Sequence, residues 1–225
     1  MSTWSDKVIV IVGASGVFGS TLARTLVAKG ADVRLVARHV DKIPSDLAAL
    51  PAVSADITHR EDLAAAVVEI SLGRPVDGIV NCAGVVAFGS LAEVPEGITR
   101  TLFATNAQGT INVLTLATDS VADGGFIASF SGVAADMVIA GMGAYCASKA
   151  AGATAMSVAA KELRSRKIAV LDIRAPHTET GLVDRALFGT APKMPIGLTP
   201  QAVIDRVLLA LETGEKDLPA DAFAS

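Results

Sequence analysis

The chain has 225 residues, a net charge of −4, 51% hydrophobic residues and only 4% aromatic residues. That length suits one domain, residues 1–225, with a full core, and the interspersed charges form no basic patch that would suit nucleic acid. The amino terminus has no basic lead-in, its first apolar run is too short for a secretory core, and Asp136 and Lys149 interrupt the most apolar stretch, so neither a leader nor a membrane span is expected.

Lys7–Val12 is a continuous β-branched run, the pattern of a buried parallel strand. It enters Gly13-Ala-Ser-Gly16-Val-Phe-Gly19, and a helical pattern follows from Ser20 to Lys29. Strand, glycine-rich turn and helix together are the setting a dinucleotide-binding loop requires. Gly13 permits the tight turn, Gly16 lets backbone approach a pyrophosphate, and Gly19 lets helix and strand pack closely. The helix amino terminus offers N–H groups to phosphate, and Ser15 adds a hydroxyl.

Asp32–Arg38 reads as the second strand. Its end carries Arg38 and no acid until Asp41, which favours NADP(H), with NAD(H) as the lesser option, because arginine accommodates a 2′-phosphate where an acid would bind the 2′-hydroxyl. Ala52–Ile57 is a third strand, and Asp56 at its end either bonds an adenine amino group or caps the helix that follows, Glu61–Ile70. Val76–Val80 is the fourth strand and ends in Asn81-Cys82-Ala83-Gly84, whose small residues admit a ribose; Asn81 can equally tie neighbouring strands. A long helix is expected over Glu96–Thr118, and Asn106 in its middle either caps a kink or holds a water.

Gly125–Phe130 is the fifth strand, with Ser131 at its carboxyl end, where open α/β sheets bind ligands. The only tyrosine, Tyr145, and Lys149 come next, at the head of an Ala-rich helical run from Ala147 to Leu163. Four residues apart, they lie one turn apart on one helical face, and a neighbouring cation lowers a phenol's pKa. Taken alone, the spacing also describes a surface helix with a solvated lysine. Ile168–Ile173 is the sixth strand, followed by Pro176-His177-Thr178-Glu179-Thr180, an apolar segment Leu182–Phe188, a Pro/Gly-rich loop Thr190–Pro200 and a last helix Gln201–Thr213. Alternating strands and helices imply a parallel sheet covered on both faces. Cys82 and Cys146 form neither a disulfide framework nor a metal-ligand cluster, and suit a reducing cytoplasm.

In combination these pieces resemble the short-chain dehydrogenase/reductase family over almost the whole chain. The glycine turn resembles that family's cofactor loop, Asn81–Gly84 its Asn-Ala-Gly element, and Asn106, Ser131, Tyr145 and Lys149 fall where its tetrad lies. The resemblance implies a doubly wound Rossmann sheet in the order 3-2-1-4-5-6, with a seventh strand short or absent because the segment Asp217–Ser225 departs from the family's ending. It implies hydride transfer between a nicotinamide and a carbonyl or secondary alcohol. Tyr145 would move the proton, Ser131 would bond the reacting oxygen, Lys149 would bind ribose and lower the Tyr145 pKa, and Asn106 would hold a water linking Lys149 to solvent. The expected cofactor contacts are Gly13, Ser15, Gly16, Val17, Phe18, Gly19, Arg38, Asp56, Ile57, Asn81, Ala83, Gly84, Tyr145, Lys149, Pro176, Thr178 and Thr180.

Some positions depart from the family pattern. Val12 stands for the usual threonine, Gly16 sits one place early, and the loop from Ser131 to Tyr145 is one residue longer than usual, which leaves Ser129 as a second serine to consider. Pro176-His177 replaces Pro-Gly, and Thr180 comes a residue early; His177 either faces substrate or bonds locally. The short segment Thr178–Thr199 implies a fairly open substrate pocket, and the helices Glu96–Thr118 and Gly143–Leu163 imply a homodimer or homotetramer. Two other readings compete. One is a non-catalytic NADP(H) sensor or scaffold, which would have no need of the Tyr145–Lys149 pair; the other is a nucleotide-sugar epimerase or dehydratase, which would need a large carboxyl-terminal substrate domain.

Overall fold

The computed structural model describes residues 3–224, so Met1, Ser2 and Ser225 lie outside the described residues. Six parallel strands form one sheet in the order β3-β2-β1-β4-β5-β6, as the sequence implies. They are β1 (Val8–Val12), β2 (Asp32–Ala37), β3 (Ala52–Ser54), β4 (Val76–Asn81), β5 (Val121–Phe130) and β6 (Ala169–Ile173). β1 is buried along its whole length, which is why its sequence does not alternate. A single parallel bridge, Ile173 to Leu218, lies where a seventh strand would add to β6.

Helices cover both faces. On one side α1 (Val17–Ala28) and α6 (Pro200–Thr213) bury Leu22, Leu26, Val203, Ile204 and Val207 against Ile9, Ile11 and Leu35. On the other, α2 (Arg60–Ser71), α4 (Gly109–Ser120) and α5 (Gly143–Glu162) bury Leu63, Val67, Val113 and Met156 against Val10, Val36 and Ile79. α6 starts where its chemistry dictates, with Pro200 in the first turn and the Thr199 hydroxyl accepting from Ala202 N, and it ends at Gly214 in the left-handed region.

Several boundaries differ from the sequence expectation. The third strand ends at Ser54, because the Asp56 carboxylate takes Thr58 N–H and turns the chain out of the sheet. The helix expected over Glu96–Thr118 is α3 (Glu96–Leu102), a π turn (Phe103–Gln108) and α4. Such wide turns often mark functional sites, and this one contains Asn106. α5, by contrast, begins at Gly143 as expected and holds Tyr145 in its first turn.

Candidate active site

The strand order reverses between β1 and β4, and the crevice at their carboxyl ends is where doubly wound sheets take ligands. Gly13 N–H and Ala14 N–H both bond Val36 O, which folds the turn back over β2. Gly13 has a φ of +82°, and a Cβ there would meet Ala83 N at 2.6 Å, so the turn and the β4 end touch backbone to backbone. Gly19 has no more room: a Cβ would strike the Gly13 carbonyl. Gly16 caps α1 with extended backbone, and no side chain bonds the helix's leading N–H groups. Ser15, Val17 and Phe18 are half-buried along this rim. Phe18 stacks on Phe130 with centroids 4.5 Å apart, tying the turn to the end of β5. This shape fits a dinucleotide pyrophosphate: bare backbone, uncapped N–H groups and no acidic side chain in the turn or in the first turn of α1.

Arg38 is 66% exposed and its Nη1 lies 3.9 Å from Asp56 Oδ2. Asp56 Oδ1 accepts from Thr58 N and Thr58 Oγ1, at 2.9 and 2.8 Å, while α2 takes His59 as its cap. Asp56 therefore caps a turn before the helix, not α2 itself, and its Oδ2 is left beside Arg38. These contacts hold the Asp56 carboxyl below the usual carboxylate range against the upward push of burial. Ile57 is buried, and its carbonyl accepts from Asn112 Nδ2.

The carboxamide of Asn81 is fully engaged within the protein. Its Oδ1 accepts from Ala83 N, and its Nδ2 donates to Ser129 Oγ at 3.1 Å and Thr110 Oγ1 at 3.3 Å. Of its two sequence readings, strand tying is the one these bonds carry; the turn they shape leaves Ala83 and Gly84 half-buried. A Cβ on Gly84 would lie 3.2 Å from Lys149 Nζ. Asn106 is likewise occupied. Its amide donates to Val85 O and Ser148 Oγ, and its Oδ1 accepts from Val85 N. With both amide hydrogens used, its side chain ties the kink; in the expected water link it has at most a lone pair to offer.

Tyr145, 9% exposed, packs among Val86, Ala87, Phe88, Leu102 and Ala134. Burial pushes its phenol up to about 12. Lys149 is 7% exposed and donates to Phe130 O at 2.8 Å; burial brings its ammonium down to about 8, opposed by the charge of Asp172. The expectation that Lys149 lowers the Tyr145 pKa is corrected here. Desolvation dominates the phenol, and the ammonium is directed to the Phe130 carbonyl.

Ser131 and Ser129 differ sharply. Ser129 Oγ accepts from Asn81, whereas the Ser131 hydroxyl, 5% exposed, makes no hydrogen bond of normal geometry among the described residues and has the Asp172 carboxylate as a polar neighbour, whose pKa it draws down. Beyond β6, Pro176 O accepts from Thr178 Oγ1, Thr180 Oγ1 accepts from Leu182 N, and His177 Nε2 lies 3.4 Å from Glu179 Oε1, a local contact. Leu187 N donates to Val86 O and Phe88 N to Phe188 O, both at 2.9 Å, so the Leu182–Phe188 segment is fastened over the Tyr145 cluster. Beside it lies a depression of about 480 Å³ lined by Phe88, Gly89, Glu93, Phe188, Gly189 and Thr190.

Asp172 was not singled out by the sequence. It is 7% exposed, its Oδ1 makes no hydrogen bond of normal geometry among the described residues, and burial raises its pKa while the nearby Ser131 hydroxyl opposes that rise. Its one signal is an acid inside an otherwise apolar strand, Ile168–Ile173. Ser148 carried no signal, yet it is fully buried and joins Asn106 to the Tyr145 carbonyl.

The sequence profile of the short chain dehydrogenase family matches residues 7–187. Glycine betaine reductase of Emericella nidulans is 31% identical over 94% of this chain, which spans 18% of that much longer protein. An uncharacterized oxidoreductase of Methylorubrum extorquens is 30% identical over 92% of this chain and 86% of its own length. Among solved structures, a short-chain dehydrogenase from Streptomyces avermitilis superposes with a TM-score of 0.84 at 25% identity, covering 97% of this chain and 90% of that one.

Proposed function

The chain belongs to the short-chain dehydrogenase family of NAD(P)-dependent oxidoreductases, and on that premise we propose that it is an NADP(H)-dependent reductase of an apolar carbonyl compound, with Tyr145 as the proton donor. The observation that carries the reading is the enclosed Ser131 hydroxyl. It makes no hydrogen bond of normal geometry at the end of β5, where its polar neighbours are the Asp172 carboxylate, which it draws down in pKa, and the Phe130 carbonyl that holds Lys149. A buried polar atom of this kind costs stability unless something bonds it, and a substrate oxygen is the partner it would take.

Gly13, Ser15, Gly16, Val17, Phe18 and Gly19 would hold the pyrophosphate on backbone N–H groups and the Ser15 hydroxyl. Arg38 would take the 2′-phosphate, and Asp56 and Ile57 would border the adenine. Ala83 and Gly84, in the turn that Asn81 shapes, would border the ribose together with Lys149, and Pro176, Thr178 and Thr180 would border the carboxamide. When bound, the nicotinamide supplies the hydride. Ser131 would donate to the substrate oxygen and steady its developing charge. Tyr145 keeps its proton across the neutral range, because burial raises its pKa, and so serves as an acid in the reducing direction. Asn106 would act through the kink it ties beside Ser148 and Val85.

The substrate side is apolar: Val85, Ile139, Met142, Leu182, Ala186 and Phe188 surround the Tyr145 cluster. The α4/α5 face exposes Ile111 and Val158 beside a groove of about 350 Å³, which supports assembly into a homodimer or homotetramer. Both cysteines are free thiols, which suits a cytoplasmic setting. Nothing favours the non-catalytic sensor, since a pure binder has no use for a buried phenol and ammonium.

The test is turnover of ketones, aldehydes and quinones followed by NADPH absorbance. Tyr145→Phe should abolish turnover and leave NADPH affinity nearly unchanged. Full activity in that variant would refute the assigned role.

A further inference from the structure

One guanidinium gathers three carboxylates from three parts of the chain. Arg174, the residue after β6, places Nε 2.7 Å from Asp136 Oδ2, Nη1 3.2 Å from Asp172 Oδ2, and Nη2 2.7 and 2.6 Å from the two oxygens of Asp217. The contacts to Asp172 and Asp217 are hydrogen bonds; the one to Asp136 is an ion pair without hydrogen-bond alignment. The Arg174 side chain is only 16% exposed, while Asp136 and Asp217 are exposed. A planar fork reaches three acceptors at once, which a lysine does not. Backbone bonds flank it on both sides: Gly132 N donates to Ile173 O and Val133 N to Ala175 O, both at 3.0 Å, and Arg174 N donates to Leu218 O, also at 3.0 Å.

Ser131 is the residue just before this pairing. The short turn that follows, Val133–Ala135, closes through Ala135 N to Gly132 O and Asp136 N to Val133 O, and it delivers Ala134 to the Tyr145 cluster. Backbone bonds hold the start of the turn, and Arg174 grips its far end at Asp136. Met137 and Val138 beyond it are exposed, so the chain past Asp136 adds little packing to hold the turn. We propose, building on the function above, that Arg174 is a positioning residue for the reaction: by gripping Asp136 it locks the turn after Ser131 and so keeps the Ser131 hydroxyl aimed at the substrate oxygen. The anchor is firm because the same guanidinium is tied to β6 through Asp172 and to the segment after α6 through Asp217. An ion pair to an exposed carboxylate contributes little to overall stability. Beside a reacting group it matters more, because a misplacement of about 1 Å there costs a large factor in rate.

Asp136→Asn removes the charge that Arg174 grips and keeps the shape of the side chain. In the cofactor-free protein, amide hydrogen exchange at Gly132 and Val133 should quicken about fivefold, while the amides of β1 keep the parent's rates. With NADPH and the best carbonyl substrate of the turnover screen, kcat should fall about fivefold or more, and KM for NADPH should stay within about twofold. The loss should vanish once Ser131 is gone. In a Ser131→Ala background, adding Asp136→Asn should change kcat by less than about twofold, whereas a merely structural effect would multiply through. Asp123→Asn is the control: it breaks an ion pair of the same 2.7 Å length, to Arg166 near the start of β5, and should leave exchange and kcat at the parent's values. If Asp136→Asn does not fold, Asp136→Ser takes its place. Unmoved exchange, an unmoved kcat, a loss that persists without Ser131, or an equal loss in Asp123→Asn overturns the proposal. Full activity in Tyr145→Phe would refute the proposed function instead, while the exchange rates still decide whether Arg174 holds the turn.

Discussion

Replacing Gly13 and Gly16 with alanine, one at a time, separates two things the glycine turn does. At Gly13 the backbone has a φ of +82°, which costs an L-residue about 1–2 kcal/mol. The new Cβ would also lie 2.6 Å from Ala83 N and 2.9 Å from Cys82 C. Those atoms cannot retreat easily, because Cys82 N is bonded to Val12 O at 2.8 Å and Ala83 N to Asn81 Oδ1 at 3.0 Å. Overpacking of this kind costs about 1–3 kcal/mol, so Gly13→Ala should destabilise by about 2–5 kcal/mol, a large part of a typical domain's stability. At Gly16 the φ is −78° and the ψ 164°, a region alanine adopts readily, and its Cβ would meet only Gly13 O, at 3.3 Å. Stability should change there by less than about 0.5 kcal/mol, with lower chain entropy offsetting a poorer cap. NADPH affinity should nevertheless fall about tenfold or more, since a methyl group would stand where the pyrophosphate approaches. Urea unfolding and NADPH titration of both variants measure this. A Gly13→Ala protein as stable as the parent, or a Gly16→Ala protein that binds NADPH as tightly, would refute the reasoning.

Arg38→Ala should weaken NADPH binding by about tenfold and change NADH binding little, because a lost charge-assisted bond to a 2′-phosphate matters only where that phosphate exists; equal losses for both in fluorescence titrations would remove the preference. Ser131→Ala should cut kcat by about a hundredfold or more and change stability little, since its hydroxyl makes no hydrogen bond of normal geometry and only lies near the Asp172 carboxylate. Ser129→Ala should instead cost about 1 kcal/mol in a urea melt, because Asn81 Nδ2 loses an acceptor, with a smaller effect on rate. The reverse pattern would assign the chemistry to Ser129.

Much of the architecture was legible because it is written in local patterns. The β-branched run Val8–Val12, the glycines that follow it and the alternation of strand and helix led to the parallel sheet and the crevice, while the strand order came from the resemblance to the short-chain dehydrogenase/reductase family. Gly13 and Gly19 could be read for the same reason: a turn that needs a left-handed residue, or a contact without a Cβ, leaves few alternatives. The boundaries were less legible where a side chain made a distant bond. Asn106 bonds Val85, 21 residues away in sequence, and sits in the π turn that interrupts its helix. The apolar segment Leu182–Phe188 was legible as apolar, but its backbone pairing with Val86 and Phe88 was not, because such pairing is invisible in one dimension.

The sequence by itself determined the fold and where along it a dinucleotide would lie, since those depend on periodicity and on residues with few permitted conformations. Only the tertiary structure decided the state of the reacting groups. It separated Ser131 from Ser129 by giving only the latter a well-formed hydrogen bond, turned Asn81 inward, raised the Tyr145 phenol and buried Asp172. Proton affinity and hydrogen-bond supply depend on how much water is excluded and which distant groups close in, and both are settled when the strands and helices pack.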